Sequence, residues 1–217
     1  MSFLRLSVHT VAISLLITLA TVVLFSLFLI KPFSEQLAWS IACYVAEKFW
    51  NYMQYHWETT LNAAPAIEIT GDELPAGENA LVLSNHLGYS DYYLIHHLAA
   101  KAGMLGKCRY FAKRELAWQI PIFGPAFWAI GFILVSRNWT EDESKIESAF
   151  RRIKGNKLAS WIILYPEGTR RSYKKVLESK AFARTENKPE LDHVLYPRTK
   201  GFVSTVRGGH CFLVHSF

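Results

Sequence analysis

The chain has 217 residues, room for one domain of ordinary size, and a composition that is 51 % hydrophobic and 19 % charged excludes a disordered polymer. Its formal charge of +6 is unevenly spread: residues 1–100 carry 3 Lys/Arg against 8 Asp/Glu (net −5), and residues 101–217 carry the remaining 21 against 10 (net +11). A basic half points to a polyanionic partner (phospholipid, CoA or nucleic acid) or to a solvated basic surface.

Between Val8 and Ile30 there is no Lys, Arg, Asp or Glu, and Arg5 and Lys31 bracket the stretch. About 23 apolar residues suffice to cross a hydrocarbon core of roughly 30 Å. A cleaved signal would have a shorter apolar core and a small-residue cleavage site. The surroundings of Ser26 (Leu27, Phe28, Leu29) are a poor site, so the reading is an uncleaved transmembrane anchor. One positive charge on each side leaves its orientation open.

Phe33 to Trp57 follows, rich in aromatic residues: Trp39, Tyr44, Phe49, Trp50, Tyr52, Tyr55 and Trp57. Such residues collect at the bilayer interface, which predicts an aromatic interfacial helix; an amphipathic helix packed on the domain would carry the same pattern. Residues 1–64 are accordingly read as membrane anchor and interfacial helix, and 65–217 as the domain that carries the chemistry.

From residue 65 short apolar runs alternate with helical patterns. Ala80–Leu83, Cys108–Ala112, Phe132–Val135 and Trp161–Tyr165 read as strands and Asp91–Ala102 as a helix. Thr140 and Glu143 form a capping box ahead of a helix with Ile146, Phe150 and Ile153 on one face. The alternation predicts an α/β fold with a mostly parallel sheet and flanking helices. Ile120 to Val135 is almost wholly apolar but broken by Pro121, Gly124, Pro125 and Gly131. It suits a wall for an apolar ligand, a dip into the membrane, or a core helix and strand. Cys43, Cys108 and Cys211 are few and scattered, with no CxxC pair, so neither a disulfide framework nor a structural metal site is expected.

Two clusters follow strands, where α/β proteins place their sites. The first is Asn85-His86-Leu87-Gly88-Tyr89-Ser90-Asp91. On a continuous helix His86 and Asp91 would lie about 140° apart. Across a turn containing Gly88 they can meet, as a general base and its orienting carboxylate or as a structural pair. The second is Tyr165-Pro166-Glu167-Gly168-Thr169-Arg170-Arg171, a tight turn whose guanidinium groups suit phosphate or solvent.

Asn85-His86-x-x-x-x-Asp91, followed by Pro166-Glu167-Gly168-Thr169-Arg170, resembles the glycerolipid acyltransferase family, whose best-known members acylate 1-acylglycerol-3-phosphate. Lys113-x-Glu115-Leu116, Pro121-x-x-Gly124 and Phe132 to Arg137 resemble that family's second block. Pro197-Arg198-Thr199-Lys200-Gly201-Phe202 is most like the eukaryotic branch that includes lysophosphatidic acid, lysophosphatidylinositol and lysocardiolipin acyltransferases. The resemblance spans roughly residues 75–207. It implies that His86 removes the proton of a lysophospholipid hydroxyl, that Asp91 orients His86, and that the hydroxyl attacks an acyl-CoA thioester. It also implies that Glu167, Gly168, Thr169 and Arg170 bind the acceptor, with Lys113 and Arg137 as further phosphate ligands.

Acyl-CoA is then a co-substrate, with no metal or other cofactor expected. The expected partners are acyl-CoA, a lysophospholipid and the bilayer, with no nucleic acid. The expected location is the endoplasmic reticulum membrane, a mitochondrial membrane being the alternative. The ending from Val206 to Phe217 does not resemble the family, which raises the expectation of a truncated chain whose sheet lacks a strand. A non-catalytic lipid-binding membrane protein is the rival class.

Overall fold

The apolar runs enter one five-stranded sheet, every pair parallel, in the order Ile133–Val135, Cys108–Lys113, Trp161–Leu164, Ala80–Leu83, Leu213–Ser216. The computed structural model describes residues 3–60, 67–119, 123–136, 138–208 and 213–216. The strands are β1 (Ala80–Leu83), β2 (Cys108–Lys113), β3 (Ile133–Val135), β4 (Trp161–Leu164) and β5 (Leu213–Ser216). Between β1 and β4, Ala80 faces Trp161 and Leu83 faces Leu164 in register.

Strands β1, β3 and β4 are apolar at every position, as expected of a parallel sheet with both faces covered. Side chains alternate across the sheet. Ala80, Val82, Trp161 and Ile163 join one buried cluster; Leu81, Ile162 and Leu164 join the other. Helix α6 (Trp139–Gly155) covers the second face with Ile146, Phe150 and Ile153, the three residues that share a stripe in the sequence. On the first face lie α3 (Asp91–Lys101), with Ile95 and Ala99 buried, and the helical hairpin of α1 (Phe3–Ile30) and α2 (Glu35–Thr60). The short α4 (Arg114–Gln119) and α5 (Phe123–Ala129) join β2 to β3, and α7 (Tyr173–Thr185) and α8 (Thr199–Gly208) follow β4.

The hairpin turns where Pro32 removes a backbone donor, and Ser34 Oγ accepts from the Leu37 N–H (3.2 Å) to open α2. Ala38, Ala42 and Ala46, at four-residue spacing, give α2 a thin buried face that shares a core with Leu24, Leu27 and Leu105. The aromatic segment is therefore packed on the domain along one face, with Trp39 and Trp57 buried, while Phe33, Tyr44 and Tyr55 remain exposed. On α1 the exposed residues Val8, Val11, Leu15, Leu19, Val22 and Leu29 run down one side at helical spacing. Ser7–Ile30 is long and apolar enough to cross a membrane.

One expectation is revised. The capping box at Thr140 does not open α6, whose N-cap lies two residues earlier, at Asn138. Asp142 instead accepts from the Ser136 N–H and hydroxyl, both at 2.8 Å, fastening the end of β3 to the helix. The apolar stretch after Ile120 is largely core, with Ala126, Ile130, Phe132 and Ile133 buried. Leu213–Ser216, within the ending that does not resemble the family, forms β5 beside β1. The boundary at 64/65, Arg137 and Cys211 lie outside the described residues.

Gly106 marks the closest approach of sheet and hairpin, since a Cβ there would overlap the Cys43 carbonyl oxygen and come within 2.9 Å of Glu47 Cβ. Gly106→Ala is expected to destabilise the fold by about 1–3 kcal/mol through overpacking. Gly155→Ala, with open space around the new methyl, is expected to be neutral or slightly stabilising. Thermal unfolding of both variants in detergent checks the contrast.

Candidate active site

Both sequence clusters sit at the carboxyl edge of the sheet, on the adjacent strands β1 and β4. The residues after β1 turn sharply into α3, and the Asp91 carboxylate holds the turn. Its Oδ2 accepts from the Leu87 N–H (2.8 Å) and the Gly88 N–H (3.0 Å) and lies 2.8 Å from His86 Nδ1. A carboxylate can only accept, so Nδ1 carries the proton and Nε2 is left with a free lone pair. Asp91 is buried and His86 is only 18 % exposed along its side chain, so the pair is shielded and still reachable.

The β4 cluster supports this turn from behind. Glu167 is buried, and its two oxygens face two backbone donors: Oε1 accepts from Leu195 N–H (3.1 Å), Oε2 from His86 N–H (3.4 Å). The Arg171 N–H donates to the His86 carbonyl (2.7 Å) and the Arg198 N–H to the Pro166 carbonyl (2.7 Å). Three segments distant in sequence, around His86, Glu167 and Leu195, are thus tied together. Gly168 has φ +65°, and a Cβ there would stand 3.0 Å from Arg198 Cδ, so the turn requires glycine.

An aromatic wall backs the histidine. The Tyr165 ring stacks on His86 (centroids 4.3 Å apart, planes 23° apart), with Tyr92 edge-on to both. Tyr110 and His96 continue the wall toward Trp50 of α2. Burial raises the phenols of Tyr92, Tyr110 and Tyr165 above their ordinary range and lowers His96 to about 4, so the wall is uncharged at neutral pH.

The predicted acceptor residues divide. Arg170 is exposed and lies over the Tyr89 ring, 4.0 Å from its centroid, which carries its guanidinium across to the His86 loop. Thr169 is half-buried beside it. Lys113, exposed, ends β2 on the same edge of the sheet. Glu167 differs: its oxygens are turned inward onto backbone donors, so it holds the site together rather than facing a ligand. Tyr89 and Tyr165 lay inside the two clusters with no role read for them, and nothing local links Leu195 to Glu167 across 28 residues. Among the described residues no group of three His, Cys, Asp or Glu is placed to hold a metal ion.

A parallel α/β sheet with a histidine–carboxylate pair and an arginine turn on its carboxyl edge belongs to a recognisable class, and the comparisons identify it. A model of the acyltransferase family matches residues 66–211. The chain belongs to that family.

It is 33 % identical over 180 residues to 1-acyl-sn-glycerol-3-phosphate acyltransferase 3 of Arabidopsis thaliana, covering 82 % of this chain and 48 % of that protein. It is 35 % identical over 130 residues to 1-acyl-sn-glycerol-3-phosphate acyltransferase delta of Homo sapiens, covering 60 % and 34 %. The chain thus spans about half or less of the length of these relatives. No solved structure matches it.

Glu167→Gln should loosen the site without touching His86 chemically. An amide keeps one acceptor oxygen and sets an N–H₂ against the second backbone donor, a loss of about 1–3 kcal/mol locally. Faster amide hydrogen exchange at His86 and Leu195 is the expected outcome; unchanged protection at both would show that the carboxylate does not tie the segments.

Proposed function

We propose that the chain transfers an acyl group from acyl-CoA to the free hydroxyl of a lysophospholipid, lysophosphatidic acid foremost, at the surface of the membrane in which α1 is anchored. The observation that carries this reading is the His86–Asp91 pair, with Nδ1 held and Nε2 free at a strand end. The relatives named above, acyltransferases of 1-acyl-sn-glycerol-3-phosphate by title, support the acceptor. The exposed apolar side of α1 supports the membrane.

His86 Nε2 takes the proton of the acceptor hydroxyl as its oxygen attacks the thioester carbonyl. Asp91 stabilises the imidazolium that forms and keeps the ring in the productive tautomer. The tetrahedral intermediate collapses with rupture of the carbon–sulfur bond, and the leaving thiolate recovers the proton from His86. The attacking group is the acceptor's own hydroxyl, so the protein supplies a base and no nucleophile. Arg170, braced on Tyr89, and Lys113 provide positive charge for the acceptor phosphate on the same edge. The uncharged tyrosine wall excludes competing water from the back of the imidazole.

His86→Ala is expected to lower turnover about 10²–10⁴-fold while the fold and membrane retention survive. Arg170→Ala is expected to lower acceptor efficiency about tenfold or more, the worth of a charge-assisted pair of about 1.5–3 kcal/mol. The check is transfer of labelled acyl groups in membranes, from acyl-CoA to lysophosphatidic acid, lysophosphatidylinositol and lysocardiolipin in parallel. Turnover by His86→Ala equal to the unmodified chain would overturn the mechanism.

A further inference from the structure

Lys31 was read above only as the charge that bounds the apolar stretch, yet the fold brings it together with Arg152 at a concave site. Leu24, Leu27, Phe28 and Lys31 of the α1 end, Ala38 and Trp39 of α2, Trp128 and Ala129 of α5 and Arg152 of α6 line a small hollow of about 20 Å³ that opens to solvent. Two cations converge on one ring: Lys31 Nζ lies 4.1 Å and Arg152 Cζ 4.6 Å from the Trp128 centroid. Arg109, wholly buried, stands behind them over Trp39 at 5.1 Å.

These charges are poorly balanced. Arg109 donates only to the Gly106 and Cys108 carbonyls and to Cys43 Sγ, and its Nε, like that of Arg152, is buried without a partner. Glu35, half exposed, reaches Lys31 at 3.7 Å. Burial and the neighbouring Arg109 lower the Arg152 guanidinium to about 10. A buried or half-buried cation cluster of this kind is stabilised by an anion. Beside its mouth the exposed, neighbouring rings of Phe25 and Phe28 form an apolar surface, which suits an anion that carries a hydrocarbon chain.

The place of the cavity selects the source. It adjoins the carboxyl end of the apolar helix, the level at which lipid headgroups lie if α1 is in the bilayer. It also lies at the amino edge of the sheet: Arg109 is near the start of β2, Ala129 precedes β3, and Arg152 is near the end of the helix before β4. His86 and Arg170 are on the opposite, carboxyl edge. We infer that the open mouth of this hollow, at Lys31, Arg152 and Trp128, binds the headgroup of an anionic phospholipid from the surrounding leaflet, with a chain laid against the exposed Phe25 and Phe28, at a site separate from the one that performs acyl transfer. The inference rests on the membrane placement of α1 proposed above and not on the transfer reaction.

The test is retention of labelled phosphatidylglycerol by the delipidated chain in neutral detergent, with phosphatidylcholine as the comparison. The unmodified chain is expected to retain the anionic lipid about tenfold better than the zwitterionic one. Lys31→Gln/Arg152→Gln is expected to lose that preference, and Lys31→Gln alone, at a surface position, to lose part of it. Arg152→Lys, which keeps the charge, and Arg170→Ala, on the other edge, are expected to retain it. Full retention by the double variant, loss in Arg152→Lys equal to that in the double variant, or displacement of the lipid by millimolar inorganic phosphate would each overturn the proposal. Loss in Arg170→Ala alone would place the bound lipid at the transfer site and overturn it as well.

Discussion

One carboxylate oxygen organises the active edge of this protein. Asp91 Oδ2 collects two backbone N–H groups and the His86 imidazole within 3.0 Å, at the point where β1 turns into α3. The same contacts close the turn, start the helix and choose the histidine tautomer. An acidic residue in the first turn also complements the helix dipole. The local fold and the proposed base therefore depend on the same side chain, and geometry and chemistry cannot be separated there by substitution alone.

Around that centre the parallel sheet imposes the rest. Parallel strands need both faces covered, and the faces are covered unequally. Helix α6 closes one with a simple apolar stripe, while the other takes α3 and the α1–α2 hairpin. Helix α1 is thus built into the domain core through Leu24, Leu27 and the alanine face of α2, and this packing fixes the orientation of the carboxyl edge of the sheet relative to α1. From His86 the aromatic wall runs through Tyr92, Tyr110 and His96 to Trp50, a continuous apolar connection between the site and the hairpin.

Much of this was legible in the sequence. The strands β1, β2, β3 and β4 stood out because apolar runs bounded by turns have few other uses, and the stripe Ile146, Phe150, Ile153 signalled α6. The pair His86 and Asp91 was legible as a possibility that only the turn at Gly88 could realise. What stayed hidden depends on contacts between distant segments. The role of Glu167 is set by Leu195 and His86, and β5 is held by pairing with β1. The start of α6 was misplaced because Asp142 is used by Ser136 of the preceding strand end, a competition invisible to a local capping rule. The cation cluster of Lys31, Arg109 and Arg152 has no sequence signature, since its members are drawn from three elements.

The central claim is that Asp91 holds the proton of His86 on Nδ1 and leaves Nε2 as the base. Long-range proton–nitrogen correlation spectra of the ¹⁵N-histidine protein in detergent test it directly, with His86→Ala used to assign the signals. At a pH where the imidazole is neutral, the account predicts a protonated Nδ1 and an unprotonated Nε2 for His86, with that tautomer losing its dominance in Asp91→Ala. A proton resident on Nε2 in the unmodified protein would contradict it.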